Sequence, residues 1–143
     1  MLKEILATLL NDGTSPTTGA QILSAKSVDE MFTNQIPKMP DFGRQYIPAV
    51  KPQFTNPSED LWPQEGQPSQ GWGLTFMLLQ DGLPTGRGKN AAYWAGIINS
   101  FWWCDREKGV AGFIAAQTLP FGDMGVVGTW MGCEKAVYDG LAA

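Results

Sequence analysis

Seven of the ten prolines fall between Pro37 and Pro68, at positions 37, 40, 48, 52, 57, 63 and 68. Proline lacks a backbone N–H and fixes φ, so a stretch this dense cannot be a helix interior or a central strand. The segment 37–69 is therefore expected to be a long loop, and regular structure has to come from its two flanks. Long structureless loops are uncommon in compact domains. The aromatic side chains Phe42, Tyr46, Phe54 and Trp62 offer apolar anchors, so the loop is expected to run as an ordered excursion over the surface.

The leading flank has helical periodicity. Leu2, Ile5, Leu6, Leu9 and Leu10 recur at three- and four-residue spacing, and Asn11-Asp12-Gly13 ends the run with a glycine suited to a left-handed cap. A helix that opens the chain resembles the end of an element whose beginning lies elsewhere. Thr14–Gly19 reads as a turn. A second short helix follows, capped by Ser24 or Ser27, with Ser27-Val28-Asp29-Glu30 fitting a capping box and Val28, Met31 and Phe32 facing inward.

The trailing flank reads as strands followed by a helix. Trp72–Gln80 is an apolar, β-forming run ended by Asp81-Gly82, and Tyr93-Trp94-Ala95 is a short strand leading into Gly96. Gly86-Arg87-Gly88 is a turn rather than a dinucleotide fingerprint, since no third glycine and no helix follow. Ile98–Cys104 and Val110–Gln117 flank Asp105–Gly109, which predicts a hairpin with a solvated charged turn. Trp102 and Trp103 then divide between core and sheet surface, and the small residues of 110–117 would let a helix lie close. Met124–Leu141 is expected to be a helix, capped by Asp123, with an inner stripe of Val126, Trp130, Cys133, Val137 and Leu141. This order gives an α+β class: an antiparallel sheet packed by a C-terminal helix.

Composition excludes several functions. The chain has no histidine, which removes Ser-His-Asp and Cys-His catalysis and histidine zinc sites. Cys104 and Cys133 are far apart, with no CxxC, and read as two reduced, buried thiols; no metal or cofactor site is expected. A net charge of −4 without basic runs argues against nucleic acid and anionic membranes as partners. Glu59 and Asp60 form no glycosidase-type pair. With no cleavable leader and no membrane-length apolar stretch, a cytoplasmic protein is expected.

One ordered set of residues is more specific. It runs Leu9-Leu10-Asn11-Asp12-Gly13, Ile22-Leu23-Ser24, Met31-Phe32-Thr33-Asn34-Gln35, Tyr93-Trp94-Ala95-Gly96, Asn99, Phe101-Trp102-Trp103-Cys104-Asp105, Gly109 and Gln117-Thr118-Leu119-Pro120-Phe121-Gly122-Asp123. The set resembles the C-terminal part of the serine β-lactamase-related hydrolases, most of all the fungal esterases and transesterases of secondary metabolism. The resemblance implies a single partial β-lactamase/penicillin-binding-protein-like (transpeptidase-like) domain over residues 1–143. It also implies a serine acyl-enzyme mechanism, in which a Ser-x-x-Lys motif and a Tyr-x-Asn-type element work beside a third, strand-borne motif. Trp94-Ala95-Gly96 matches that third motif. By the resemblance, the Ile97 N–H is an oxyanion donor and Trp94 lines an acyl pocket. Taken alone, the triplet reads first as an ordinary piece of packed strand; the surrounding matches argue for common descent, not for present activity.

The departures are as informative. No serine has a lysine three positions later; Ser24 has Lys26, one position early. Tyr46, Tyr93 and Tyr138 all fail the Tyr-x-Asn spacing. The resemblance thus implies a hydrolase or acyltransferase fragment with no catalytic residue of its own and inactive alone. The alternative is a non-catalytic protein of that descent that binds a small molecule or a partner. The partners implied are an N-terminal half, or further copies of the chain, and a small apolar acyl ligand.

Overall fold

A computed structural model of the chain describes residues 2–42, 48–56 and 69–142. Tyr46, Glu59, Asp60 and Trp62, to which the sequence reading gave roles, lie outside the described residues. The regular elements are helix α1 (Leu2–Leu10), helix α2 (Ala25–Met31), strands β1 (Gln70–Trp72), β2 (Met77–Leu79), β3 (Ala92–Gly96), β4 (Ser100–Asp105) and β5 (Val110–Ile114), and helix α3 (Met124–Ala142). The strands form one antiparallel meander in the order β1-β2-β3-β4-β5. The expected α+β arrangement is present, and β4 and β5 pair as the expected hairpin around Gly109, whose φ is +67°.

Strand alternation divides the core into two layers. One cluster joins Leu6 and Leu9 of α1 and Val28 of α2 to Phe32, Phe76, Leu78, Ala92 and Cys104. The other joins Met77, Leu79, Tyr93, Phe101 and Trp103 of the sheet to Trp130 and Tyr138 of α3. Adjacent residues of β4 serve opposite layers: Trp103 is buried under α3, while Trp102 packs half-buried against the α1–α2 cluster. Helix α1 and the two sheet faces bury the apolar side of a period-3.6 and a period-2 pattern, respectively.

Several local signals behave as read. Gly13 adopts φ +86°, and a Cβ there would lie 2.2 Å from the Leu23 carbonyl oxygen, so conformation and space both require glycine. Of the two candidate caps, Ser24 is the one used: its hydroxyl accepts from the Ser27 N–H at 3.0 Å, which leaves Ser27 inside the helix and no capping box at 27–30. Asp123 caps α3 by accepting from the Val126 N–H at 2.9 Å.

Four further expectations, on the strands, α3 and the charged turn, are corrected. Trp72–Gln80 is not one strand. The chain turns back between β1 and β2, where the Gly73 N–H bonds the Phe76 carbonyl and a Cβ on Gly73 would sit 2.0 Å from the Met31 carbonyl oxygen. The strand expected over Val110–Gln117 ends at Ile114. The inner line of α3 is Trp130, Glu134 and Tyr138; Cys133, Val137 and Leu141 are exposed, because the buried face is shaped around a charge rather than an apolar stripe. Asp105 does not belong to a solvated turn. It is fully buried and accepts from the Gly88 N–H (2.7 Å), the Lys108 N–H (3.0 Å) and the Tyr138 hydroxyl (2.8 Å).

The cysteines differ for the same reason. Cys104 is buried, whereas Cys133 is exposed on α3, so only the first of the two expected buried thiols is buried. Burial pushes the Cys104 thiol up to about 12, against the pull of Arg106 and with a further push from Asp105. Since the thiolate is the reactive form, one thiol per chain is expected to react promptly with Ellman's reagent in the native state, and the second only on unfolding. Mass mapping that finds both labelled at similar rates under native conditions would contradict this placement.

Candidate functional site

The residues that match the third family motif sit at one end of the sheet. Trp94, Ala95 and Gly96 are the last three residues of β3 and pair with Trp102, Phe101 and Ser100 of β4. The strand ends in a tight turn, closed by the Asn99 N–H on the Gly96 carbonyl at 3.0 Å. Ile97 and Ile98 stand on this turn and are exposed, at 54% and 43%, although both are large and apolar. Trp94 is half-buried and packs on Trp72 of β1, with ring centroids 5.1 Å apart. The four residues named from the sequence are therefore contiguous at the end of one central strand, beside a pair of indoles.

Gly96 differs from the other strand glycines, Gly71 and Gly112, whose added Cβ atoms would clash with neighbouring side chains. It is absent from the positive-φ residues, and a Cβ built on it would meet nothing within 4 Å. Neither backbone conformation nor crowding among the described residues demands a glycine there. A strand glycine without an internal reason marks a place where another group can approach the backbone closely.

The turn is tied to the start of α3. Asn99 is fully buried, with φ +57°. Its Nδ2 donates to the carbonyls of Thr118 (3.0 Å) and Pro120 (2.8 Å), and its Oδ1 accepts from the N–H groups of Gly122 (2.8 Å) and Asp123 (3.1 Å). In the sequence, Asn99 stands only as one position of the family pattern. An asparagine in a strand-connecting turn is a signal for left-handed backbone, but its partners lie about twenty residues downstream.

Under α3 lies a second polar assembly, whose members are far apart in sequence and carry no shared local signal. Arg87 and Glu134 form an ion pair with both side chains almost fully buried, and Arg87 Nε donates to Glu134 Oε1 at 3.2 Å. The Thr85 hydroxyl donates to the same oxygen at 2.6 Å. The guanidinium lies over the rings of Tyr93, Trp130 and Trp103 at 5.2, 5.4 and 5.9 Å. Burial, then the hydrogen bond to Asp105, raise the Tyr138 phenol above its ordinary range. The Tyr93 hydroxyl donates to Gln70 at 2.6 Å. Both tyrosines are thus structural donors inside the core.

An open cleft of about 590 Å³ lies at the opposite end of the sheet from Gly96, between the ends of α1 and α2 and the loops before β3 and after β4. Its central group, Arg106, bonds Asp12 (2.6 Å) and Asp29 (2.9 Å) over the Phe32 ring, so it reads as a clasp joining the helices to the sheet. The cleft is lined by none of Trp94, Ala95, Gly96 and Ile97. Among the described residues, no group of three or more His, Cys, Asp or Glu could hold a metal, and no helix is long and apolar enough to cross a membrane.

Comparison with known proteins bears on this arrangement. No family-wide sequence profile matches the chain. Over 124 residues, 85% of its length, it is 33% identical to acyltransferase calJ of Penicillium decumbens, of which the match spans 27%. Its fold superposes on the simvastatin synthase LovD of Aspergillus terreus. A mutant of that enzyme aligns with a TM-score of 0.72 and 20% identity, covering 96% of this chain and 32% of the other. The unliganded LovD gives 0.67 and 21%, covering 96% and 33%. The chain matches one part of the β-lactamase-related acyltransferases. It spans between a quarter and a third of the length of these relatives. The partial β-lactamase-like fold that the resemblance implied is the fold observed.

Proposed function

We propose that this chain forms one partial domain of a serine acyl-transfer site and supplies the strand-borne wall of it. Ile97 offers its N–H to the developing oxyanion, Trp94 and Trp72 flank a small apolar acyl group, and Gly96 leaves the strand open to the substrate. The observation that carries the reading is Gly96: nothing within the described residues requires a glycine there, and it sits at the family's motif position. The nucleophile and its lysine have to come from outside these 143 residues, because no Ser-x-x-Lys exists within them. The required partner is a segment that carries that motif, within a longer chain or in a separate one.

Two experiments test this. The purified 143-residue chain is expected to show no turnover of p-nitrophenyl esters and no labelling by a serine-reactive phosphonate; turnover that survives purification and is abolished by the phosphonate would refute the claim of dependence. Co-expression with a Ser-x-x-Lys-bearing segment of an acyltransferase relative is expected to give labelling and turnover. In that complex Ile97→Pro removes one N–H at a turn position that tolerates proline, and should lower kcat by roughly 10²–10³, the usual loss for one oxyanion donor. An active complex in which Ile97→Pro turns over normally would remove the oxyanion assignment.

A further inference from the structure

From the hydrogen bonds of Asn99 we infer that this residue positions the Ile97 turn, holding it in register with the segment that starts α3. The inference rests on the proposed role of Ile97. Positive φ at a non-glycine residue is uncommon, and asparagine is among the side chains that tolerate it. Asn99 combines that conformation with complete burial and a side chain whose two ends are both used. Nδ2 reaches the carbonyls of Thr118 and Pro120, with Thr118 Oγ1 also at 3.3 Å, while Oδ1 receives Gly122 and Asp123. The turn itself carries two exposed isoleucines and has little apolar packing of its own. Its placement therefore depends on the carboxamide, which joins it to the residue that caps α3, Asp123. Ser100, the next residue, adds a hydroxyl bond to the Ala116 carbonyl at 3.3 Å. Asn99 touches no reacting atom in this account; it acts by fixing where the Ile97 N–H sits.

The test uses the whole 143-residue chain and needs no turnover. Amide spectra and hydrogen exchange are compared for the parent, Asn99→Gly and Asn99→Asp. Glycine keeps the left-handed backbone without the carboxamide. Aspartate keeps an acceptor for Gly122 and Asp123 but loses the donor to Thr118 and Pro120. In Asn99→Gly the Gly122 and Asp123 amides should exchange roughly tenfold faster. The Ile97 and Ile98 resonances should shift and broaden, while those of the β4–β5 hairpin stay in place. Asn99→Asp should restore protection at Gly122 and Asp123. Unmoved Ile97 and Ile98 resonances in Asn99→Gly would overturn the inference, since the clasp would then serve only the 118–123 segment. Should Asn99→Gly fail to fold, Asn99→Asp decides: loss of the donor half alone must still shift Ile97. A neutral Ile97→Pro in the acyl-transfer assay would remove the oxyanion role yet leave these shifts standing, so the two failures are separable.

Discussion

Arg87→Ala is expected to destabilise the chain by about 3–5 kcal/mol, the range for removing one partner of a buried ion pair. Arg87 is 2% exposed and Glu134 1%, so neither charge can turn to solvent. Without the guanidinium, the Glu134 carboxylate keeps the Thr85 hydroxyl and loses both arginine contacts. The rings of Tyr93, Trp130 and Trp103 also lose the cation that fills the space between them. Against a total stability of about 5–15 kcal/mol for a typical domain, this is a large fraction. Urea unfolding followed by tryptophan fluorescence measures it. A companion experiment separates the pair from its charges. Arg87→Met combined with Glu134→Leu fills similar volume with apolar groups and should recover most of the loss, because a buried ion pair is often no better than its hydrophobic replacement. A midpoint for Arg87→Ala within about 1 kcal/mol of the parent, the value expected of solvated pairs, would show that water reaches this layer in solution.

The same pair shows why α3 was legible as a helix and illegible in its facing. Periodicity places Met124–Leu141 in a helix, and Asp123 marks its start. An inward face chosen by apolarity selects Cys133 and Val137 over Glu134. The partner that makes Glu134 an inward residue is Arg87, in a glycine turn far upstream, and local spacing carries no trace of it. Asp105 was misplaced in the same way: a run of four charged residues reads as a solvated turn, yet its first member is consumed by Tyr138 and two backbone N–H groups. In contrast, β4 and β5 were legible because alternation and Gly109 are local. The break between β1 and β2 had a local signal, Gly73, outweighed by the apolar run around it. The Trp94–Ile97 strand end was found through the family pattern, while the role of Asn99 depends on residues 118–123 and emerges only in three dimensions.

Gly112 is the second position where a small change should have a large effect. The reading that small residues on β5 admit a helix holds for Ala111, which packs on the α1 side. Gly112 faces the other way and admits a ring instead. A Cβ there would lie 2.1, 2.3 and 2.5 Å from Cη2, Cζ2 and Cζ3 of Trp103, its cross-strand partner. Flexible side chains can yield to such a contact, but Trp103 is 2% exposed and held between the sheet, α3 and Arg87. Gly112→Ala is therefore expected to cost about 1–3 kcal/mol and Gly112→Val more than that, as overpacking of a rigid site does. The clashing atoms belong to the six-membered ring of the indole, so Trp103→Phe should cost less in the Gly112→Ala background than in the parent. A double-mutant cycle on denaturation midpoints reads this coupling directly. Gly128→Ala supplies a control of opposite sign: it lies on the exposed side of α3, nothing is within 4 Å of its added Cβ, and helix propensity favours alanine by up to about 1 kcal/mol. If Gly112→Ala proves as benign as Gly128→Ala, the Trp103 ring does not lie across β5, and the packing described for the α3 layer is wrong at its centre.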